Sequence, residues 1–243
     1  MNSIIYPFDA HCHIEAISSA NSMQKLAVCS INLQDIKELY EIRKNNPNIK
    51  IGIGLHPWQV TNNINLTEFS SKLMKLIEQY QPDFIGECGL DKLKPNFAKQ
   101  VEICALHCQL AKQFKLPIVF HCVRSYNELL QIITQHPIIK GLLHAFNANN
   151  QIAKQLYKKS ISLGVGSLIL ASTSQLRKSI TKIPLAQILI ESDAPYMPYA
   201  NNTTSSAQDC LVYFNKLCKI KSINSTAAIE LINQNWLSLY AET

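Results

Sequence analysis

Short apolar runs alternate with longer amphipathic segments along the chain, and this alternation is the feature that most restricts the fold. Strands are predicted at the apolar runs, residues 4–8, 26–31, 49–54, 84–87, 118–121, 141–144, 161–165 and 188–191. Helices are predicted between and after them, at residues 33–44, 67–80, 97–114, 125–135, 150–159, 172–180, 208–219 and 225–240.

Strands that alternate with helices pair in parallel through right-handed crossovers. Eight such strands in 243 residues favour an α/β fold, a (β/α)8 TIM-like barrel with residues 1–243 as a single domain. A doubly wound open sheet is the alternative. The barrel makes a specific demand, because functional side chains in such folds gather at the carboxyl ends of the strands.

Composition indicates a well-packed protein without a membrane segment or a disulfide framework. Apolar residues make up 47% of the chain, and no run of about 18 uncharged apolar residues occurs. The N-terminus lacks a secretory pattern, so a cytoplasmic location is expected. The eight cysteines include no Cys-x-x-Cys pair, which argues against a zinc finger. The net charge of +6 is mildly favourable for polyanionic partners without demonstrating them.

A His-x-His pair follows the first apolar run, in the segment Asp9-Ala10-His11-Cys12-His13. Residues i and i+2 of a strand point the same way, so both imidazoles can reach one point. Two converging imidazoles are half of a transition-metal site, although His-x-His also occurs by chance. The remaining strand ends must therefore supply the missing ligands.

Histidines and carboxylates recur at the ends of later apolar runs. Glu87, His121 and His144 close the fourth, fifth and sixth runs, and Asp193 follows the eighth. In a barrel these side chains would face the same mouth as the first pair. Two divalent ions could share them, about 3.5–4 Å apart with a bridging water or hydroxide. The predicted metal ligands are His11, His13, Glu87, His121, His144 and Asp193.

Two of these residues are also predicted to be catalytic. Glu87 is the natural bridge between two ions, and Asp193 could both bind a metal and accept the proton of the attacking water. Four imidazoles and two carboxylates suit Zn, Mn, Ni or Fe, and Mg could occupy the weaker site. The expected cofactors are therefore two divalent metal ions of unspecified identity.

The other histidines have different expectations. His56 follows the third apolar run, beside Pro57, and is predicted either to contact substrate or to brace its loop. His107 lies inside a predicted helix, where a core or surface role is expected. His136 is near a helix end and fits a loop role.

Several further side chains are candidates for substrate contact. Lys92, Lys94 and Arg124 follow predicted strand ends and could meet phosphates, although solvated positions are the alternative for the lysines. Trp58 and Tyr196 could stack on a base or a sugar, or simply pack. The substrate-binding candidates are His56, Arg124 and Tyr196.

The motifs together resemble the TatD family of metal-dependent hydrolases, within the amidohydrolase-like barrel superfamily. The resemblance implies a TIM-like barrel, a two-metal centre with the six ligands above, and phosphodiester hydrolysis, often of DNA from the 3′ end. The matching segments, in the order typical of that family, are Asp9-Ala10-His11-Cys12-His13, Gly54-Leu55-His56-Pro57, Ile85-Gly86-Glu87-Cys88-Gly89-Leu90-Asp91, residues 117–121, His144-Ala145-Phe146 and Glu191-Ser192-Asp193-Ala194-Pro195-Tyr196.

Departures from the family pattern concern the substrate more than the metals. Val123 stands two positions after the fifth-strand histidine, where the family usually has arginine, and Arg124 follows it. Residues 198–206 replace the glycine-containing loop usual in the family, and they contain neither glycine nor arginine. The catalytic set is complete, and the hold on nucleic acid is the part that differs.

Three functions are weighed. The first is a divalent-metal-dependent hydrolase of phosphodiester bonds, by resemblance a deoxyribonuclease that acts as an exonuclease, with DNA as substrate and with neither a membrane nor an obligate protein partner. The second keeps the metals but acts on a small amide, lactone or phosphate ester, since fold alone does not choose. The third is a non-catalytic metal-binding protein, which a complete open ligand set argues against.

Overall fold

The structure, a computed structural model, describes residues 6–240. Eight parallel strands form one sheet in the order of the chain. They are β1 (Asp9–Cys12), β2 (Leu26–Cys29), β3 (Ile49–Ile53), β4 (Phe84–Asp91), β5 (Ile118–Val123), β6 (Gly141–Leu143), β7 (Ile161–Val165) and β8 (Ile188–Ile190).

Helices follow the strands and cover the outside of the sheet. They are α1 (Ile36–Lys44), α2 (Leu66–Tyr80), α3 (Phe97–Gln113), α4 (Tyr126–Gln135), α5 (Asn150–Tyr157), α6 (Gln175–Ser179), α7 (Asp209–Lys221) and α8 (Ser225–Tyr240). Short 3-10 helices lie at Ile14–Ser19, Leu33–Asp35, Pro57–Gln59, Ser167–Ile169, Ile180–Lys182 and Leu185–Gln187. The predicted alternation of strands and helices is confirmed.

The sheet closes between β1 and the segment that follows β8. The Asp193 N–H donates to the His11 carbonyl at 2.9 Å, and the His13 N–H donates to the Ala194 carbonyl at 2.8 Å. An open doubly wound sheet would leave its first and last strands as unpaired edges. The (β/α)8 barrel is therefore confirmed, and the open-sheet alternative is wrong.

The first strand is displaced from its predicted position. It was expected at residues 4–8, but β1 spans Asp9–Cys12, residues 6–8 are irregular, and residues 4 and 5 lie outside the described residues. Pro7 has no N–H to give to a ladder. Phe8 packs edge-on against Trp236 at 5.5 Å between ring centroids. Phe8 therefore packs at the amino-terminal end of the barrel, and the His-x-His segment itself begins in the sheet.

That amino-terminal end, which we call the barrel bottom, is closed by α8. Phe84 of β4 meets Tyr240 at 5.1 Å between ring centroids, and Trp236 meets Tyr240 at 5.0 Å. The Trp236 indole N–H donates to the Asp9 carbonyl at 2.9 Å, and the Tyr240 hydroxyl donates to the Ala10 carbonyl at 2.7 Å. Large rings with satisfied polar atoms therefore fill this end.

The cysteines and the lengths and polarity of the helices bear on the expectations drawn from composition. All eight cysteines are free thiols and buried. Within residues 6–240, the helices are all too short or too polar to cross a bilayer.

Candidate metal centre

The opposite end of the barrel, which we call the mouth, gathers the side chains that the sequence predicts as metal ligands. His11 lies in β1, Glu87 in β4 and His121 in β5, whereas the others directly follow strands or lie just beyond them. None of the six is more than 8% exposed. The six predicted ligands, His11, His13, Glu87, His121, His144 and Asp193, are thus brought together around Glu87.

One Glu87 oxygen faces the first histidine pair. Glu87 Oε2 lies 3.3 Å from His11 Nε2 and 3.6 Å from His13 Nε2. Asp193 Oδ1 lies 3.1 Å and 3.6 Å from the same two nitrogens. Because neighbouring ligands of one ion are separated by such distances, His11, His13 and Asp193 could hold a metal beside Glu87.

The other Glu87 oxygen faces a separate group of histidines. Glu87 Oε1 lies 2.8 Å from His144 Nε2, 3.0 Å from His121 Nδ1 and 3.3 Å from His56 Nε2. His56 therefore joins a ligand-type cluster with Glu87 and His121, a place that its sequence context did not predict. Its own Nδ1 accepts the Trp58 backbone N–H at 3.2 Å, which holds the ring in position.

The electrostatics of the mouth favour ionised carboxylates. Burial raises the pKa of Glu87, but the charges of His144, His56 and His11 outweigh it and leave that pKa well below its usual range. Burial likewise raises the pKa of Asp193, but the neighbouring His11 and His13 rings lower it further than burial raises it. Both carboxylates are thus in the form that binds cations.

The loops that follow β6 and β8 each contain a residue in an uncommon backbone conformation, at or next to a predicted ligand. Ala145 and Asp193 have φ angles of 44° and 55°, and left-handed φ costs on the order of 1–3 kcal/mol for residues with a side chain. Glu191 accepts the Ala145 N–H. A Cβ at Gly164 would collide with the Glu191 carboxylate. Buried Glu191 thus fits against a glycine and secures the turn after His144.

Asp9 secures the other loop. Its carboxylate accepts the Ser192 backbone N–H at 2.9 Å and also the Ser192 hydroxyl. Burial raises the pKa of Asp9 to about 6, although these hydrogen bonds oppose the rise. Asp9 therefore ties β1 to the segment that carries Asp193. Sequence reasoning quoted Asp9, Ser192 and Glu191 within motifs but assigned them no role.

Two further contacts support ligand rings. Cys29, the last residue of β2, places its Sγ 3.1 Å from His11 Nδ1. Asp91 Oδ2 lies 3.6 Å from His121 Nε2 and accepts the Trp58 indole N–H at 2.8 Å. Burial raises the pKa of Asp91, but the neighbouring His121 ring and hydrogen bonds from the Leu93 N–H and Trp58 bring it down to about 2. Cys29 and Asp91 are the last residues of β2 and β4, and a position at a strand end is the sequence signal that could have indicated their support of the ligands.

The histidines outside the mouth are separate from it. His107 is fully buried, accepts the Leu55 N–H at 3.2 Å with Nε2 and contacts the Ile103 carbonyl at 2.7 Å with Nδ1. Burial lowers its pKa to about 4, which keeps the ring neutral. His136 directly follows α4 as its C-cap, and its Nδ1 contacts the Gln109 side chain.

A cavity of about 440 Å³ opens onto the predicted ligands. Tyr196 lines it, and so do His56 and Val123. Arg124 is exposed and is not among the lining residues, so only two of the three substrate-binding candidates reach this cavity. Lys92 pairs with Glu128 instead of facing the cavity.

The arrangement fits divalent metal ions. Buried His11 Nε2 has no hydrogen-bond partner among residues 6–240, although it lies beside two carboxylates. Imidazole nitrogens and carboxylate oxygens are the ligands of zinc, manganese, nickel and iron. A cation between these groups would satisfy the orphaned nitrogen and both carboxylates at once.

Comparison with known proteins agrees with this geometry. A protein from Escherichia coli (strain K12), named "Uncharacterized metal-dependent hydrolase YjjV", is 27% identical over 208 residues, covering 78% of this chain and 80% of its own. The human protein named "Deoxyribonuclease TATDN3" is 24% identical over 259 residues, covering 96% of this chain and 93% of its own.

Solved structures share the fold. The crystal structure of the E. coli TatD homologue YjjV superposes with a TM-score of 0.87 at 22% identity, covering 98% of both chains. The structure of a TatD family hydrolase from Entamoeba histolytica gives a TM-score of 0.79 at 19% identity, covering 98% of this chain and 99% of its own. The family model described as TatD related DNase matches residues 8–241. The chain therefore belongs to the TatD family of metal-dependent hydrolases.

Proposed function

We propose that this chain is a deoxyribonuclease that hydrolyses phosphodiester bonds with two divalent metal ions, as an exonuclease. One observation carries the proposal: the two oxygens of Glu87 face two different groups of histidines, which is the arrangement expected of a bridging carboxylate. The family description and the name of the human relative support DNA as the substrate.

The ligands divide between two ions. His11, His13 and Asp193 would hold one ion, and His121 and His144 would hold the other, with Glu87 shared. Bound divalent ions polarise a phosphoryl oxygen and lower the pKa of a water molecule toward neutrality. Zinc, manganese, nickel and iron suit this donor set, and magnesium is the weaker fit.

The protein's own groups orient the reaction. Asp193 lines the cavity, and its Oδ1 faces His11 and His13, so this carboxylate can take the proton of a water molecule that attacks from the cavity. Burial of the ligands excludes bulk water and so strengthens the electrostatic interactions between their charges. We also propose that residues 1–243 act as one barrel domain in the cytoplasm, as the sequence suggests.

A metal-by-substrate screen tests the proposal. Protein stripped of metal is supplied with zinc, manganese, magnesium, nickel or iron and offered labelled DNA, RNA, bis(p-nitrophenyl) phosphate, and a set of amides, lactones and phosphate monoesters. We expect DNA cleavage that requires added metal and that releases mononucleotides from one end. Asp193→Asn, purified identically, controls for contaminating nucleases.

The other outcomes separate the alternatives. Turnover of an amide, a lactone or a phosphate monoester without DNA cleavage would replace nuclease activity by the small-substrate function. Metal binding without turnover of any substrate would overturn the enzyme assignment. DNA fragments of random length would contradict the exonuclease part alone.

A further inference from the structure

Two exposed aromatic rings stand at the cavity, one beside each half of the candidate metal centre. Trp58 is 53% exposed and Tyr196 is 44% exposed, and both line the cavity. Tyr196 packs edge-on against His13, at 5.1 Å between ring centroids and 81° between planes. Trp58 packs edge-on against His56, at 5.2 Å and 86°. His13 faces one Glu87 oxygen and His56 faces the other, so the rings flank the two halves separately.

Trp58 is held in one orientation although half of it is exposed. Its indole N–H donates to Asp91 Oδ2 at 2.8 Å, and Asp91 in turn accepts the Leu93 N–H at 2.8 Å. The Lys94 ammonium lies 4.1 Å from the Trp58 ring centroid, where a cation is attracted to the ring. A large apolar ring fixed at a cavity entrance is a preorganised contact surface, because little conformational entropy remains to be lost on binding.

Among residues 6–240, no lysine or arginine lines the cavity. The aliphatic side chains of Val123, Ile31 and Met197 are part of the lining. Arg124 is exposed outside the lining, and Lys92 is paired with Glu128. A substrate in this cavity therefore meets aromatic and aliphatic surface together with the candidate metal ligands, and the nearby cation that remains is Lys94, which lies over the Trp58 ring outside the lining.

We propose that Trp58 and Tyr196 are two base-stacking subsites that hold the nucleotides on either side of the scissile phosphate. The inference rests on the proposed nuclease function and specifies how substrate is held. An aromatic side chain stacks on any nucleobase, which gives affinity without sequence preference. Because the cavity lining that residues 6–240 form holds no lysine or arginine to bind a phosphate, stacking supplies part of the positioning of the substrate.

Cleavage of base-bearing and abasic substrates tests the proposal. One substrate is a short thymidine oligonucleotide, and the other carries tetrahydrofuran abasic residues on both sides of the cleaved bond. We expect Trp58→Ala and Tyr196→Ala each to lower kcat/KM on the first substrate by about tenfold. On the abasic substrate the variants should match the wild type. Trp58→Phe should retain most of the activity, and Tyr157→Ala, at an equally exposed tyrosine on α5 (53%), should retain all of it.

Fluorescence supplies a readout independent of turnover. The chain has two tryptophans, and Trp236 is buried, so a nucleotide that stacks on Trp58 should quench the exposed emission. Deoxythymidine 5′-monophosphate should quench saturably in Asp193→Asn protein, whereas deoxyribose 5-phosphate should not. The additional change Trp58→Phe should abolish the saturable quenching.

The outcomes distinguish this inference from the proposed function. Equal losses on both oligonucleotides would overturn it, because Trp58 would then act only by supporting Asp91 and His56. Unchanged kcat/KM in both alanine variants, or equal quenching by the sugar phosphate, would overturn it as well. A wild-type protein that cleaves neither oligonucleotide would instead remove the proposed nuclease function, and this inference with it.

Discussion

The two ends of the barrel differ in whether their buried polar side-chain atoms have hydrogen-bond partners. At the bottom, the polar atoms of Trp236 and Tyr240 both donate to backbone carbonyls of β1. At the mouth, buried ring nitrogens lack a hydrogen-bond partner among residues 6–240: His11 Nε2, His13 Nδ1, His121 Nε2 and His144 Nδ1. An unsatisfied buried polar atom costs free energy. The comparison indicates that the bottom contributes stability and that the mouth retains binding capacity at the expense of stability.

The strongest test of this comparison is Asp193→Asn at the mouth. The amide keeps the shape of the side chain but removes its negative charge and its capacity to accept a proton. We expect kcat on DNA to fall by about 10³-fold or more, because several kcal/mol of transition-state stabilisation are lost. The melting temperature of metal-free protein should not fall. A variant with wild-type kcat would remove Asp193 from the mechanism.

The matching test at the bottom is Trp236→Ala. Removal of a buried aromatic ring leaves a cavity and should lower the free energy of unfolding by about 3–5 kcal/mol, as measured by urea denaturation. Activity per folded molecule should stay at the wild-type level, since the ring lies at the far end of the barrel. Leu231→Ala, on the same helix but 40% exposed, is the control and should change stability by no more than about 0.5 kcal/mol. A large loss of kcat in Trp236→Ala would break the division between the two ends.

The third prediction concerns His107, a buried histidine whose two ring nitrogens both have hydrogen-bond partners, unlike the histidines predicted as metal ligands at the mouth. It tests how the stability contributed by such a histidine depends on pH. Its folded-state pKa is about 4 because of burial, below the ordinary value of 6.5. A lowered histidine pKa gives stability that is complete above pH 6.5 and is lost as pH falls toward 4. In the presence of chelator, the stability advantage of wild type over His107→Gln should therefore shrink by about 3 kcal/mol across that interval. A difference independent of pH would contradict this assignment.

The smallest expected effect concerns Cys29, which supports one candidate metal ligand, His11. When a metal occupies His11 Nε2, the ring proton resides on Nδ1, and that N–H can donate to Cys29 Sγ, 3.1 Å away. Loss of such outer partners typically weakens metal binding about 10-fold or more. We expect Cys29→Ala to lower zinc affinity by this factor in a chelator competition, and Cys29→Ser to retain most of it. Equal affinity in all three proteins would show that the contact does not support His11.

The sequence predicted most elements to within a few residues, and the exceptions have local physical causes. Apolar runs and amphipathic periods report which segments are buried, so β3 and β7 lie where they were expected. The first strand was misplaced because residues 6–8 are apolar without being in the sheet, a consequence of Pro7 and of the contact between Phe8 and Trp236.

The sequence Ser125-Tyr126-Asn127-Glu128 predicts a capping box at the start of α4, and this prediction is wrong. The Ser125 hydroxyl donates to the carbonyls of Leu90 and Val123, and Glu128 pairs with Lys92. These partners come from other elements of the barrel. A four-residue pattern contains no information about such partners, so it could not distinguish a local cap from a contact between β4, β5 and α4.

The sequence by itself determined that ligand-type residues would meet at one end of the fold. Parallel strands joined by crossovers place every carboxyl end at the same rim, so a histidine or carboxylate at the end of an apolar run points to that rim whatever the details of packing. This reasoning brought all six predicted ligands to the mouth without any knowledge of distances.

Only the tertiary structure decided how those residues are divided and what surrounds them. The separation of donors between Oε1 and Oε2 of Glu87, the entry of His56 into one group and the exclusion of Arg124 from the cavity depend on barrel closure and on loop conformation. Side chains from different strands come within 3–4 Å through three-dimensional packing, and the local periodicity of a chain carries no measure of those distances.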